Sequence, residues 1–248
     1  MTNLTLIWNA ALNAPIYMTI IFFVVRGLLI PCFDSTQYYF LTEKCGITKD
    51  QYDFLSIGQS IGQLVGTIIF MNFLTRYQAW KLIAFSVIFE ICHSWVLYAN
   101  VMRWTVAWGL SDWSVNFVLM LFNKSIFTCL AVLPMTIKMM YVIPQNIEAS
   151  MFAILTACIT LSQDWGGDMI GAFLCDWLEI TSENMEAYPF AILIKVALHL
   201  FSFGLILLLP SDKSLKDLSM KLNPTEEVEL SAGKADSQCS YDQYGNQI

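Results

Sequence analysis

Residues 54–74 read FLSIGQSIGQLVGTIIFMNFL and contain no charged side chain. A helix of this length reaches the ~20 residues needed to cross a ~30 Å hydrocarbon core. An amphipathic helix of a soluble protein would carry a charged face, and none is present here. Gly58, Gly62 and Gly66 recur at four-residue spacing within the stretch. They place three missing side chains on one face, the small-xxx-small pattern that lets membrane helices approach closely. Phe70, away from the glycines, is expected on the lipid-facing surface.

The pattern repeats on both sides of this stretch. From Pro15 to Pro31 the only charge is Arg26, and Leu82 to Val101 holds only Glu90 and His93 among acidic and basic side chains. Val115 to Ile137 contains only Lys124, and Tyr188 to Pro210 only Lys195 and His199. The composition agrees: 56% of the 248 residues are hydrophobic and 13% charged, against about a quarter charged in a soluble domain. The reading is an all-α, multi-pass membrane protein with the lipid bilayer as its surroundings. Its six helices are expected at 15–41, 51–74, 80–100, 113–138, 148–178 and 188–209.

Prolines and glycines punctuate this order. Pro15 opens the first helix, where a missing N–H costs nothing, and Pro31 is expected to kink it. Tyr38–Leu41 are too apolar for a loop, so the helix continues past the kink, and residues 43–50 turn around Gly46. Pro144 separates the fourth and fifth helices, and Pro189 and Pro210 bound the sixth. Gly167 and Gly171 on the fifth helix form another small-xxx-small pair. Residues 1–13 are a short lead without the basic n-region of a cleavable signal, and 14–210 form the bundle. Residues 211–248 are polar, a composition that cannot bury enough apolar surface to fold alone, and are read as a disordered cytoplasmic tail. Leu215, Leu218 and Leu222 share one face of a short helix that could lie on the bilayer surface.

Loop charge sets orientation. With the N-terminus inside, the inner segments hold Arg76, Lys81, Lys138, Lys213, Lys216 and Lys221, and the outer ones hold Lys44, Lys49 and Arg103. Both termini are therefore expected on the cytoplasmic side. Trp80, Trp95, Trp104, Trp108 and Trp113 fall near helix ends and read as interfacial anchors. The net charge of −7, with 13 scattered Lys and Arg, excludes a nucleic-acid partner. Seven cysteines without CxxC spacing suggest neither a metal site nor a disulfide framework, and no cofactor is expected. An enzyme is equally disfavoured. Gly166-Gly167-Asp168 approaches an intramembrane protease motif, but the Tyr-Asp pairs, Tyr52-Asp53 and Tyr241-Asp242, lie outside the bilayer centre.

Several motifs occur in order along the chain. Residues 26–48 read RGLLIPCFDSTQYYFLTEKCGIT, Gly109-Leu110-Ser111-Asp112 precedes the fourth helix, and Leu133-Pro134 lies near its end. Residues 143–181 read IPQNIEASMFAILTACITLSQDWGGDMIGAFLCDWLEIT. Here Pro144, Glu148, Ala149, Ser150, Phe152, Ala153, Gly171, Ala172, Ile180 and Thr181 follow the folate–biopterin transporter pattern. Over about residues 10–210 the chain resembles the C-terminal six-helix half of that family, which belongs to the major facilitator superfamily. The resemblance implies a secondary carrier of a pterin or folate. It also implies a second half, supplied by a longer reading frame, a partner chain or a second copy of this chain. The alternative is a six-helix subunit that assembles with other membrane proteins and transports nothing. The chain departs from the family in having Asp164 and Asp168 where small residues are usual, and in a thinner basic motif at Arg76 and Lys81.

A charge at the bilayer centre costs at least ~2.5–3.5 kcal/mol on insertion scales and so faces a cavity or a partner. The candidates are Arg26, Asp34, Glu90, Lys124, Asp164, Asp168 and Lys195, with His93 and His199. Arg26, Asp34 and Lys124 are candidate substrate contacts. Arg26 suits the carboxylates of a folate's glutamate tail, or else pairs with an acid to lock helices together. Asp164 and Asp168 share a helix face at i, i+4. Two such carboxylates raise each other's proton affinity, as a proton-coupled carrier requires, unless Lys124 or Lys195 neutralises them. Glu90 and His93, three apart, could pair, and lone histidines among aromatics read as packing residues. Glu148 suits the positive end of its helix.

Overall fold

A computed structural model describes residues 7–9, 11–143, 147–210, 214, 215, 217 and 218, without the side chains of 123–128, 138, 141, 142 and 148. Among these residues, helix is the only regular structure, and it forms six segments. We label them α1 (Ala14–Lys44), α2 (Lys49–Leu74), α3 (Ala79–Val101), α4 (112–142), α5 (148–177) and α6 (Tyr188–Leu208). A short helical turn, Trp104–Ala107, lies between α3 and α4. Segments α1, α2, α3 and α6 are long and apolar enough to cross a membrane, and Asp112–Phe122 of α4 is a shorter apolar helix. The apolar side chains point outward to a degree that water would not tolerate. Ile57, Ile61, Leu64 and Ile68 on α2 are all more than half exposed, as are Trp165, Met169 and Phe173 on α5. Such a surface belongs in lipid, and the protein is an all-α, multi-pass membrane protein.

Local chemistry explains the breaks. Segment α1 runs as helix over Ala14–Leu29 and again over Asp34–Tyr39, with Ile30 extended at φ −95°, ψ 112° between them. Ile30 precedes Pro31, whose ring disfavours the helical region for the residue before it. The freed backbone is satisfied from α5, where the Gly167 carbonyl accepts a hydrogen bond from the Cys32 N–H at 2.9 Å. Gly46, at φ 67°, makes the turn to α2. Thr48 caps α2 reciprocally with Gln51. Four of the segments contain a wider π turn, at Phe40–Lys44, Phe70–Leu74, Thr128–Val132 and Leu161–Gly166.

Glycines set the closest helix pairs. Gly58 faces the ring of Phe117, and a Cβ on Gly62 would overlap the Leu121 carbonyl, so α2 and α4 pack backbone against backbone. Gly66, one turn further along, is half-buried. On α5, Gly167 lies against Ile30 and Cys32, and Gly171 directly against the Cys32 carbonyl. The unwound part of α1 therefore rests on the glycine face of α5.

Two core clusters occupy opposite ends of the bundle. One joins Ile16, Ala79, Met139, Ile143, Ile147 and Met151. The other joins Leu41, Ile47, Val101, Val115, Ile180 and Tyr188. The segments alternate in direction between these ends. Leu215 and Leu218 are buried in the first cluster, while Leu222 lies outside the described residues. The lipid-facing expectation for Phe70 is corrected: its ring is 2% exposed and packs with Leu82, Cys129 and Leu130.

Candidate functional site: a charged cavity within the bundle

Each charge placed by the sequence inside an apolar run needs either a partner or water. Arg26, on the first part of α1, is 2% exposed and donates from Nη2 to Oε2 of Glu90 on α3 at 2.5 Å. Nδ1 of His199, on α6, lies 3.2 Å from the same carboxylate oxygen. Glu90 thus ties three segments that are far apart in the chain. Its other oxygen, Oε1, is buried with no hydrogen-bond partner.

One pairing that the sequence allowed is replaced by this cluster. Glu90 does not pair with His93, whose Nε2 instead lies 3.0 Å from the Leu119 carbonyl on α4. Asp34 begins a new helix after the break at Pro31 and is exposed. A guanidinium this deeply buried needs an anion at contact distance, and among the described residues the bundle brings Glu90 there. His199, expected as a packing residue, belongs to the charged cluster.

Around the cluster lies a cavity of about 590 Å³, within the range of small-molecule sites. Arg26 and Asp34 line it from α1, and Glu90 and His93 from α3. Asp164 and Asp168 line it from α5, and Lys195 and His199 from α6. Almost every intramembrane charge picked out in the sequence meets here, although the residues come from segments up to 173 positions apart in numbering, Arg26 to His199. Lys124 is the exception, since its side chain lies outside the described residues. Glu148 does too. Asp34, Asp164 and Asp168 are exposed on the open side of the cavity, whereas Arg26 and His199 are buried in its floor. The Lys195 ammonium sits 5.9 Å from the centroid of the Phe33 ring, within cation–π range.

Sequence reasoning passed over Gln163. It lines the cavity from the π turn of α5, with its buried Nε2 lacking a hydrogen-bond partner. The polar run Ser162-Gln163-Asp164 in an otherwise apolar helix was the available signal. A π turn inside a long helix is often a functional feature, and this one presents Gln163 and Asp164 to the cavity. The helix-packing glycines frame the same space: Gly27 lies against Ser162, and Gly167 and Gly171 seat the broken part of α1. No group of three or more His, Cys, Asp or Glu suited to a metal ion occurs among the described residues. The arrangement can bind a polar solute, hold protons on carboxylates, and offer a guanidinium to an anion.

The family model of the BT1 family matches residues 1–227, nearly all of the chain. No curated protein and no solved structure matches it.

Proposed function

The chain belongs to the BT1 family, the folate–biopterin transporters, and from that membership we propose that it lines the pathway of a secondary carrier for a pterin or folate. As a member of the family it is a multi-pass membrane transporter. The observation that carries the finer reading is the convergence of Arg26, Asp34, Glu90, Asp164, Asp168 and Lys195 on one cavity. Charges in such segments are costly unless they face a partner or water, and a substrate pathway supplies both.

In this reading the bundle, residues 14–210, is one six-helix half of a major-facilitator carrier. A second six-helix unit covers the open side, where Asp34, Asp164 and Asp168 are exposed. The second unit comes from a longer reading frame, a partner chain or a second copy. Both termini and the tail from 211 onward are cytoplasmic. Arg26 meets the substrate's carboxylate, Asp34 and Lys124 contact the remainder of the substrate, and Asp164 and Asp168 carry coupling protons. Among the described residues, four carboxylates face two cationic side chains in the cavity, a surplus of acid that protonation can relieve.

One observation favours a purely structural part for Arg26. Its ion pair with Glu90 joins α1 to α3, and removing one partner of a buried pair typically costs about 3–5 kcal/mol. Uptake measurements on the chain co-expressed with a second six-helix unit separate the roles. Arg26→Gln is expected to weaken folate uptake more than uptake of uncharged biopterin, because only folate presents carboxylates. Equal loss of both would assign Arg26 to helix locking alone. Asp164→Asn and Asp168→Asn are expected to flatten the pH dependence of uptake while binding persists. Robust uptake by residues 1–248 with no second unit and no self-association would overturn the half-carrier reading. A subunit that transports nothing would show no substrate-selective change in any of these variants.

A further inference from the structure

We propose that Glu90 is a proton-binding group that trades places with the substrate's carboxylate on Arg26. This deepens, and rests on, the pathway reading above. The structure supports it through the way one carboxylate is shared. Oε2 of Glu90 holds Arg26 and lies 3.2 Å from Nδ1 of His199, while Oε1 is buried with no hydrogen-bond partner. Arg26, Glu90 and His199 all line the cavity, so a solute there can reach the guanidinium.

The driving constraint is charge conservation at a buried site. A guanidinium 2% exposed cannot stand without an anion. In the substrate-free state Glu90 is that anion. When a carboxylate enters the cavity, two anions compete for one cation, and the low dielectric disfavours keeping both. A proton from the water of the entry side goes to Glu90, and the substrate's carboxylate accepts the Arg26 hydrogen bond. The cavity gains one proton and one anion, so its charge is unchanged. At the opposite face the carboxylate leaves, Glu90 releases the proton to that side, and the Arg26–Glu90 pair re-forms. One proton thereby accompanies each substrate molecule across.

His199 positions Glu90 in both states. A neutral imidazole nitrogen donates to an ionised carboxylate or accepts from a protonated one, according to tautomer. The other groups facing the exchange are Asp34 on α1, His93 on α3, Asp164 and Asp168 on α5, and Lys195 on α6. His93 is held on the Leu119 carbonyl, and the three aspartates are exposed. Asp164 and Asp168 thus carry the coupling protons between Glu90 and the water, which sets the pH dependence of uptake and leaves the number of protons bound at equilibrium to Glu90. On α4, Phe122 faces the cavity, and the Lys124 side chain lies outside the described residues.

The test is equilibrium binding of folate and biopterin to the purified chain with its second unit, with proton uptake read by calorimetry in two buffers. The wild type is expected to take up about one proton per folate. Its folate Kd should rise about tenfold per pH unit where free Glu90 is ionised. Biopterin should bind with no proton. Glu90→Gln should bind folate with a pH-independent Kd and no proton uptake, and Glu90→Asp should restore the pH dependence. Because Glu90→Gln breaks the Arg26–Glu90 pair, the double variant Arg26→Gln/Glu90→Gln covers a loss of fold. It should bind folate at least tenfold more weakly than the wild type, lose less of its affinity for biopterin than for folate, and take up no proton. Proton uptake that survives in either variant overturns the exchange, as does loss of folate binding by folded Glu90→Gln. Wild-type folate binding without proton uptake overturns the exchange alone. A wild type that binds neither compound overturns the pathway reading and the exchange with it.

Discussion

Gly171 of α5 and Cys32 of α1 meet backbone to backbone, with no room between them for a single methyl group: a Cβ on Gly171 would overlap the Cys32 carbonyl oxygen. The Cys32 N–H is also tied to the Gly167 carbonyl at 2.9 Å, which holds this part of α1 against α5. Gly171→Ala is therefore expected to destabilise the protein by about 1–3 kcal/mol, the usual cost of overpacking. Gly204→Ala is the control, since that position opens onto empty space and alanine favours helix over glycine. Melting temperatures in detergent should fall for Gly171→Ala and hold or rise for Gly204→Ala. A pair that melts alike would mean the α1–α5 contact is not close-packed.

The α2–α4 seam gives a second comparison. Gly62→Leu should open the bundle, because its side chain would be driven into the Leu121 backbone. Phe73→Leu, at a ring 68% exposed, should be neutral within about 0.5 kcal/mol. Phe70→Leu should cost about 1 kcal/mol, since that ring is 2% exposed in the core. Thermal stability of the three variants checks the order, and a Phe70→Leu protein as stable as Phe73→Leu would place that ring back on the lipid face.

Topology is testable by labelling. Gln78 and the stretch around Asn184 are exposed, and Val106 is 41% exposed. The two core clusters put Ala79 at one end and Val101 and Ile180 at the other. Single cysteines at 78, 106 and 184 on a cysteine-free background should react with an impermeant maleimide from opposite sides, 78 from one and 106 and 184 from the other. Labelling of all three from a single side would break the six-segment alternation.

Cys45, in the turn after α1, is expected to label slowly. Burial, followed by the nearby Asp112 carboxylate, pushes its thiol up to about 11, against the pull of Arg103. Arg103 donates from Nη1 to both Cys45 Sγ, at 3.1 Å, and Asp112 Oδ1, at 2.9 Å. The thiol stays protonated at neutral pH, and the reactive thiolate rises about tenfold per pH unit until the pKa is reached. Maleimide kinetics should follow that slope up to about pH 10. Asp112→Asn should speed the reaction, and Arg103→Gln should slow it. A rate independent of pH would show a thiol ionised well below this range.

How much was legible in the sequence depended on the kind of interaction. The spans could be read from it because a lipid-facing helix must be apolar over ~20 residues, whatever it packs against. Pro31 foretold the break in α1, because the ring acts on its immediate neighbour. Arg26, Asp34, Asp164 and Asp168 stood out as cavity candidates because an intramembrane charge is anomalous wherever it occurs. The misreading of Phe70 has an equally simple cause. In a membrane protein the core and the lipid are both apolar, so hydropathy cannot say which face of α2 is buried. The partner of Arg26 lies 64 residues away, and only the packing of α1, α3 and α6 decides that Glu90 and His199 meet it. Gln163 depends on a π turn, which alters which residues face inward without changing the composition. The sequence by itself determined that the chain crosses a bilayer, and which charges must avoid lipid. Tertiary structure alone decided how those charges are paired, because pairing depends on helix rotation and distance, neither of which an apolar run records.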